Sequence, residues 1–167
     1  MLSAKDIIEK LSLVPLEGEG GFFKQTFKDS LLVSSNELKS AANNRAASTA
    51  IYYLITQNNF SAFHRLPQAE VLHFYLGSPV EMVQITSAGT VKRLILGPQI
   101  TKNQHLQVVV PQNTWQASCL VEGGEWALLG ATVSPGFEFE DMEVASRLKL
   151  IALYPNLKDT INRFTRS

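Results

Sequence analysis

From Thr49 onward the chain is a succession of short segments rich in β-branched and aromatic residues, each cut off by a turn signal. Thr49–Thr56 is rich in Ile, Tyr and Leu, and Gln57-Asn58-Asn59 ends it. Phe60–Arg65 and Glu70–Leu76 follow, and Gly77-Ser78-Pro79 breaks the pattern before Val80–Thr86. Ser87-Ala88-Gly89 turns into Thr90–Leu96, and Gly97-Pro98 opens a loop before His105–Val110. Pro111-Gln112-Asn113-Thr114 then leads to Trp115–Val121, and Glu122-Gly123-Gly124 to Glu125–Ser134. Short strands with regular turns predict an all-β sandwich or barrel.

The flanks add little helix. Ser3 is placed to cap a short helix through Leu11, with Asp6 completing a capping box, and Val14-Pro15 stops it. Glu17-Gly18-Glu19-Gly20-Gly21 lacks the following helix and Lys-Ser/Thr pair of a phosphate loop, so it reads as a turn before a strand Phe22–Lys28. Leu31–Ser34 extends the strand texture. Ser35–Ala47 reads as a surface loop with one helical turn around Glu37–Ala42; a lid over a pocket is the alternative role. Beyond Pro135-Gly136, a helix is expected over Asp141–Leu153 with Met142, Ala145, Leu148 and Ala152 on one side and Glu140 and Asp141 at its positive end. A last short helix spans Asn156–Phe164. With no repeat or linker, residues 1–167 read as one domain: a barrel core over 20–135 and a helical segment over 140–165.

Charge excludes some partners. Fifteen basic and fifteen acidic residues balance, and no run of Lys or Arg exists to meet nucleic acid or an anionic membrane. Lys5, Asp6, Glu9 and Lys10 interrupt any secretory signal, and no stretch approaches the roughly 20 apolar residues of a membrane helix. A cytoplasmic protein is expected. The single cysteine, Cys119, cannot form an internal disulfide and reads as a small strand residue, not a nucleophile.

Two titratable groups in apolar strands need a reason, because burying them without partners is costly. Strand alternation places Phe60, Ala62 and His64 on one face, and Glu70, Leu72, Phe74 and Leu76 on one face of the next strand. A turn at Leu66-Pro67-Gln68-Ala69 pairs the two strands and brings His64 and Glu70 onto one inner surface. A structural ion pair inside a core is the competing reading. His73 has the opposite parity and faces away. Farther on, Gln116, Ser118 and Leu120 share a strand face.

At this point the chain resembles the cupin superfamily. His64, Glu70 and Gly77 match its first motif, and Pro111 and Gln116 fit its second. The resemblance is strongest to a branch related to bacterial dTDP-4-keto-sugar epimerases. It runs through Glu19–Phe23, Ser48–Leu54, His64–Gly77, Val110–Ala117 and Thr132–Phe139. It implies a jelly-roll β-barrel, a homodimer, and a ligand cavity inside the barrel. Metal-binding cupins use three histidines and a glutamate. Here Leu66 stands at the second histidine position, Asn113 at the motif-two glycine and Gln116 at the last histidine. No cofactor is expected; a weak metal site on His64, Glu70 and Gln116 is the residual alternative.

Three functions are compatible with these residues. The first is a metal-independent epimerase- or isomerase-like enzyme with His64 as base and Glu70 supporting it. The resemblance implies a tyrosine on another strand as its acid; Tyr52, Tyr53 and Tyr75 are present, and the sequence places none of them opposite His64. The second is a metabolite- or carbohydrate-binding module whose pocket includes Gln116, Phe74, Phe60 and Leu72. The third is weak metal-dependent chemistry.

Overall fold

The computed structural model describes residues 2–34 and 43–166. Ser3 caps helix α1 (Ala4–Leu11): its hydroxyl accepts from the Asp6 N–H while the Asp6 carboxylate accepts from Ser3, so both halves of the capping box form. The helix ends on Ser12 in the left-handed region.

The longer strands fall where expected; three two-residue ones, at Val14–Pro15, Arg45–Ala46 and Glu143–Val144, do not. The first are β1 (Val14–Pro15), β2 (Phe22–Lys28), β3 (Leu32–Val33), β4 (Arg45–Ala46) and β5 (Thr49–Thr56). Next come β6 (Ser61–Arg65), β7 (Ala69–Gly77), β8 (Val80–Ile85), β9 (Val91–Leu96) and β10 (Gln107–Val110). The series closes with β11 (Trp115–Leu120), β12 (Trp126–Ser134) and β13 (Glu143–Val144). One sheet runs β1-β2-β5-β12-β7-β10, the other β13-β6-β11-β8-β9, and β3-β4 form a small ribbon. The helical turn expected around Glu37–Ala42, and with it the lid, lies outside the described residues.

Alternation then builds three apolar layers. Ile55, Leu72, Phe74, Val108 and Leu129 of the first sheet meet Val80, Met82 and Leu96 of the second in the central layer. On the outer side of the second sheet, Phe63, Val83, Ile85 and Trp115 pack against Leu150, Ile161 and Phe164 of the C-terminal segment. On the outer side of the first, Leu54 and Leu128 pack under Ile7 of α1. Neighbours such as Leu54/Ile55 and Met82/Val83 therefore point to opposite layers, as the period of two requires.

Two expectations are corrected. Strands β6 and β7 do not pair with each other: β6 pairs β11 and β13, whereas β7 pairs β10 and β12. The Leu66–Gln68 link is a corner between the two sheets, so His64 and Glu70 face each other across the interior. The long helix over Asp141–Leu153 is also shorter. Phe139–Asp141 is a 3-10 turn, Glu143–Val144 joins the edge of β6, and only Arg147–Leu153 (α2) is α-helical. The β6 edge needs a partner for its backbone, and β-branched Val144 suits one. Leu148 is then 81% exposed and Leu150 is the residue that packs inward. Nor do Glu140 and Asp141 serve a helix terminus; both bind the buried Arg45. The last helix, α3 (Lys158–Arg163), forms where expected.

Candidate functional site

The cavity between the sheets is built from both walls. His64 comes from β6 and sits opposite Gln116 of β11; Glu70 and Leu72 come from β7 in the facing sheet. His64, Glu70, Leu72 and Gln116 all line the inner part of the cavity. The outer part opens past Leu66, Phe23, Phe137, Phe139 and Met142.

His64 is held in one tautomer. Its Nδ1 lies 2.8 Å from the Ala62 carbonyl oxygen, which only accepts, so Nδ1 carries the proton. Nε2 faces the cavity, with Glu19 Oε2 at 3.7 Å, an ion-pair distance beyond hydrogen-bond reach. On the other wall, Gln116 donates its amide N–H to the Glu70 carboxylate. Burial raises the Glu70 pKa above the ordinary carboxylate range, and the nearby Glu19 adds to this; His64 and the Gln116 bond pull the other way without reversing it.

Three more polar groups converge here. Glu19 is only 7% exposed and accepts a hydrogen bond from the Ser61 hydroxyl at 2.7 Å. Tyr53, on β5 in the wall opposite His64, donates to the Gly20 carbonyl at 2.8 Å. Burial first, and the Glu19 carboxylate next, raise the Tyr53 pKa well above the usual phenol value, so the phenol keeps its proton. Glu19 and Ser61 escaped the sequence reading. The Glu17–Gly21 turn looked like plain punctuation, but a carboxyl flanked by glycines that fold back onto a strand is the signal it carried. Gly21 has φ +75° and lies against Tyr53: a Cβ there would sit 2.7 Å from its hydroxyl. Arg166 clamps the same turn, bonding the carbonyls of Gly18, Glu19 and Phe60.

Ser61 enters because β6 is irregular. Gln116 pairs with His64 but Ser118 pairs with Ser61, so the partner strand advances two residues while β6 advances three. This bulge re-phases the strand, puts Ser61 on the cavity side with His64, and sends Phe63 to the outer layer. It also corrects the placement of Phe60. That ring lies outside the cavity, edge-on to Phe164 at 6.3 Å and under the Arg166 guanidinium at 4.4 Å. Phe74 shares the Glu70 and Leu72 face but packs in the central hydrocarbon layer, away from the cavity lining. Tyr52 and Tyr75 lie in edge-to-face contact beside Leu11 and Leu128, on the α1 side of the first sheet. His73 also faces away from the cavity, bonding Thr132 and Gln107.

The cavity mouth is fixed by a buried ion pair. Arg45, 2% exposed, binds both oxygens of Asp141 at 2.8 and 2.7 Å and Glu140 at 2.6 Å. Burial opposes ionisation of Asp141, but the Arg45 and Gln68 hydrogen bonds win and hold its pKa below the ordinary value. The pair anchors the segment carrying Phe137, Phe139 and Met142.

The donor set that the resemblance associates with a metal is not met. Leu66 contributes hydrocarbon to the cavity, and the Gln116 amide turns its N–H groups, not its oxygen, to Glu70. Among the described residues no group of three or more His, Cys, Asp or Glu is placed to hold a metal ion. The residues do not fit a tight transition-metal site. No helix among the described residues is long and apolar enough to cross a membrane.

Comparison with curated proteins gives no significant match. Two solved structures share the whole architecture. A protein from Shewanella oneidensis is 29% identical, covers 99% of each chain and superposes with a TM-score of 0.89. A hypothetical protein from Leishmania major is 26% identical over 99% of this chain and 100% of its own, with a TM-score of 0.91. A cupin 2 conserved barrel domain protein from Rhodopseudomonas palustris, 14% identical, covers 93% of this chain and 90% of its own at a TM-score of 0.58, a likeness of fold alone. Residues 5–145, the barrel and everything that lines its cavity, match the family described as Cupin superfamily (DUF985). The two facing sheets, the cavity between them and this match together make the chain a member of the cupin superfamily.

Proposed function

We propose that the cavity binds a small, carbohydrate-like carbonyl compound and that His64 moves the proton on the carbon beside the carbonyl, an epimerase- or isomerase-like reaction without a metal. One observation carries this reading: the Ala62 carbonyl holds a proton on His64 Nδ1, which leaves Nε2, on the cavity side, as the nitrogen that exchanges a proton with a ligand. A general base needs a lone pair aimed at substrate, and an imidazole anchored through its other nitrogen presents one. Removing the proton leaves an enolate. Glu70, close enough to His64 for their charges to interact, stabilises the imidazolium that forms. Tyr53 on the opposite wall is the acid that returns a proton to the other face of the carbon. Gln116 and Leu72 shape the inner end.

Keto-sugars in heavy water test the proposal. Deuterium uptake beside the carbonyl is expected, falling about 10²–10⁴-fold in His64→Gln. No uptake above His64→Ala overturns the reading for those substrates. A binding module is the second reading, favoured by the Tyr53 hydroxyl being committed to Gly20. A compound that raises the melting temperature without exchanging deuterium selects it.

We also propose that the protein works as a homodimer. Among the described residues strand β10 pairs only with β7, and Leu106 and Val109 on and beside it are half or more exposed, which supports self-association along that edge.

A further inference from the structure

The cavity holds two buried carboxyls and no permanent cation. Glu19 and Glu70 are 7% and 9% exposed, and no lysine or arginine stands among the described residues that line either part of the cavity. The nearby cations are spent elsewhere: Arg45 on Asp141 and Glu140, and Lys28 on Glu138. Among the described residues His64 is the one basic group of the lining, 6% exposed, and Glu19 Oε2 lies 3.7 Å from its Nε2. Toward the opening, Phe139 packs edge-on against Phe23 at 5.9 Å and Phe137 at 5.1 Å, yet remains 57% exposed.

This arrangement selects ligand charge. A phosphate or carboxylate brought beside two carboxyls, in a place where charges are poorly screened, meets repulsion and no compensating donor. An ammonium group meets the reverse. Carboxylates attract it from within, and aromatic faces at the entrance attract it through their quadrupoles. The exposed Phe139 ring then has a use that core packing does not give it.

We propose that the ligand carries an alkylammonium group, held between the Phe23–Phe139 pair at the entrance and the Glu19 and Glu70 carboxyls inside. The inference rests on the cavity being the ligand site, and not on proton transfer taking place there. It narrows a carbohydrate-like ligand to an amine-bearing one and excludes sugar nucleotides and sugar phosphates.

Matched probes test it on the intact protein by thermal shift and calorimetry. Choline and glucosamine are the cations. Their neutral counterparts are 3,3-dimethylbutan-1-ol and glucose, and glucose 6-phosphate is the anion. Each cation is expected to raise the melting temperature, its neutral counterpart to raise it much less, and the anion not at all. Glu19→Gln is expected to weaken cation binding about tenfold. Phe139→Ala, at a position 57% exposed, is expected to weaken it about three- to tenfold. Equal shifts from the neutral counterparts, a shift from the anion, no shift from either cation at tens of millimolar, or undiminished binding by Phe139→Ala overturns the proposal. Failure here leaves the deuterium-exchange result untouched, because that assay uses uncharged keto-sugars.

Discussion

Glu70 is the side chain whose surroundings work hardest against its own charge. Burial makes the folded protein hold the Glu70 proton more tightly than the unfolded chain does. As pH rises through the ordinary carboxylate range, the unfolded chain releases its proton first, and folding stability falls until the raised folded value is passed. Glutamine cannot ionise and still accepts from Gln116. The melting-temperature difference between Glu70→Gln and the native protein should therefore grow in favour of the variant as pH climbs through this window, and close at acid pH. A difference independent of pH would mean that the carboxyl is not desolvated as described. The same residue shows what a sequence can reveal. His64 and Glu70 were legible because polar groups amid strand residues demand a partner. Glu19 was not, because nothing local says that a turn will be folded against a strand over forty residues away.

Elements were legible by type and less so by pairing. The longer strands fell between their turn signals, since those signals are local. The corner at Leu66–Gln68 was misread as a hairpin because four residues suit either connection, and only the packing of both faces decides. The β6 bulge was likewise invisible, and it decides that Ser61 rather than Phe60 joins His64. Two substitutions probe elements. Gly21→Ala forces a Cβ toward the Tyr53 hydroxyl and the Leu54 carbonyl at a φ of +75°, so a cost of about 1–3 kcal/mol in urea unfolding is expected, with a weakened cavity. Phe164→Ala removes a ring that is 1% exposed and touches Phe60 and Phe63, so about 3–5 kcal/mol is expected with the cavity residues undisturbed. A Phe164→Ala protein that unfolds at unchanged denaturant would mean that the C-terminal helices merely rest on the sheet.

At the scale of the molecule, the cupin architecture explains why the site could be assembled from distant segments: two sheets face each other, and each contributes one wall. If two copies associate along the β10 edge, Val109→Glu should convert the dimer to a monomer in sedimentation velocity without lowering the melting temperature of the subunit much. An unchanged sedimentation coefficient would place any interface elsewhere. Fold legibility here came from the β-rich pattern and the resemblance; ligand chemistry did not, because it depends on which charges are missing from the lining. One remote attachment has a practical side. Arg166 grips the backbone of the Glu19 turn from 147 positions away. Clipping the polypeptide ahead of that arginine, or fusing a bulky tag that pries it loose, would free those carbonyls and slacken the hold on the inner acid, so the ligand response proposed for the cavity should be assayed with the tail intact.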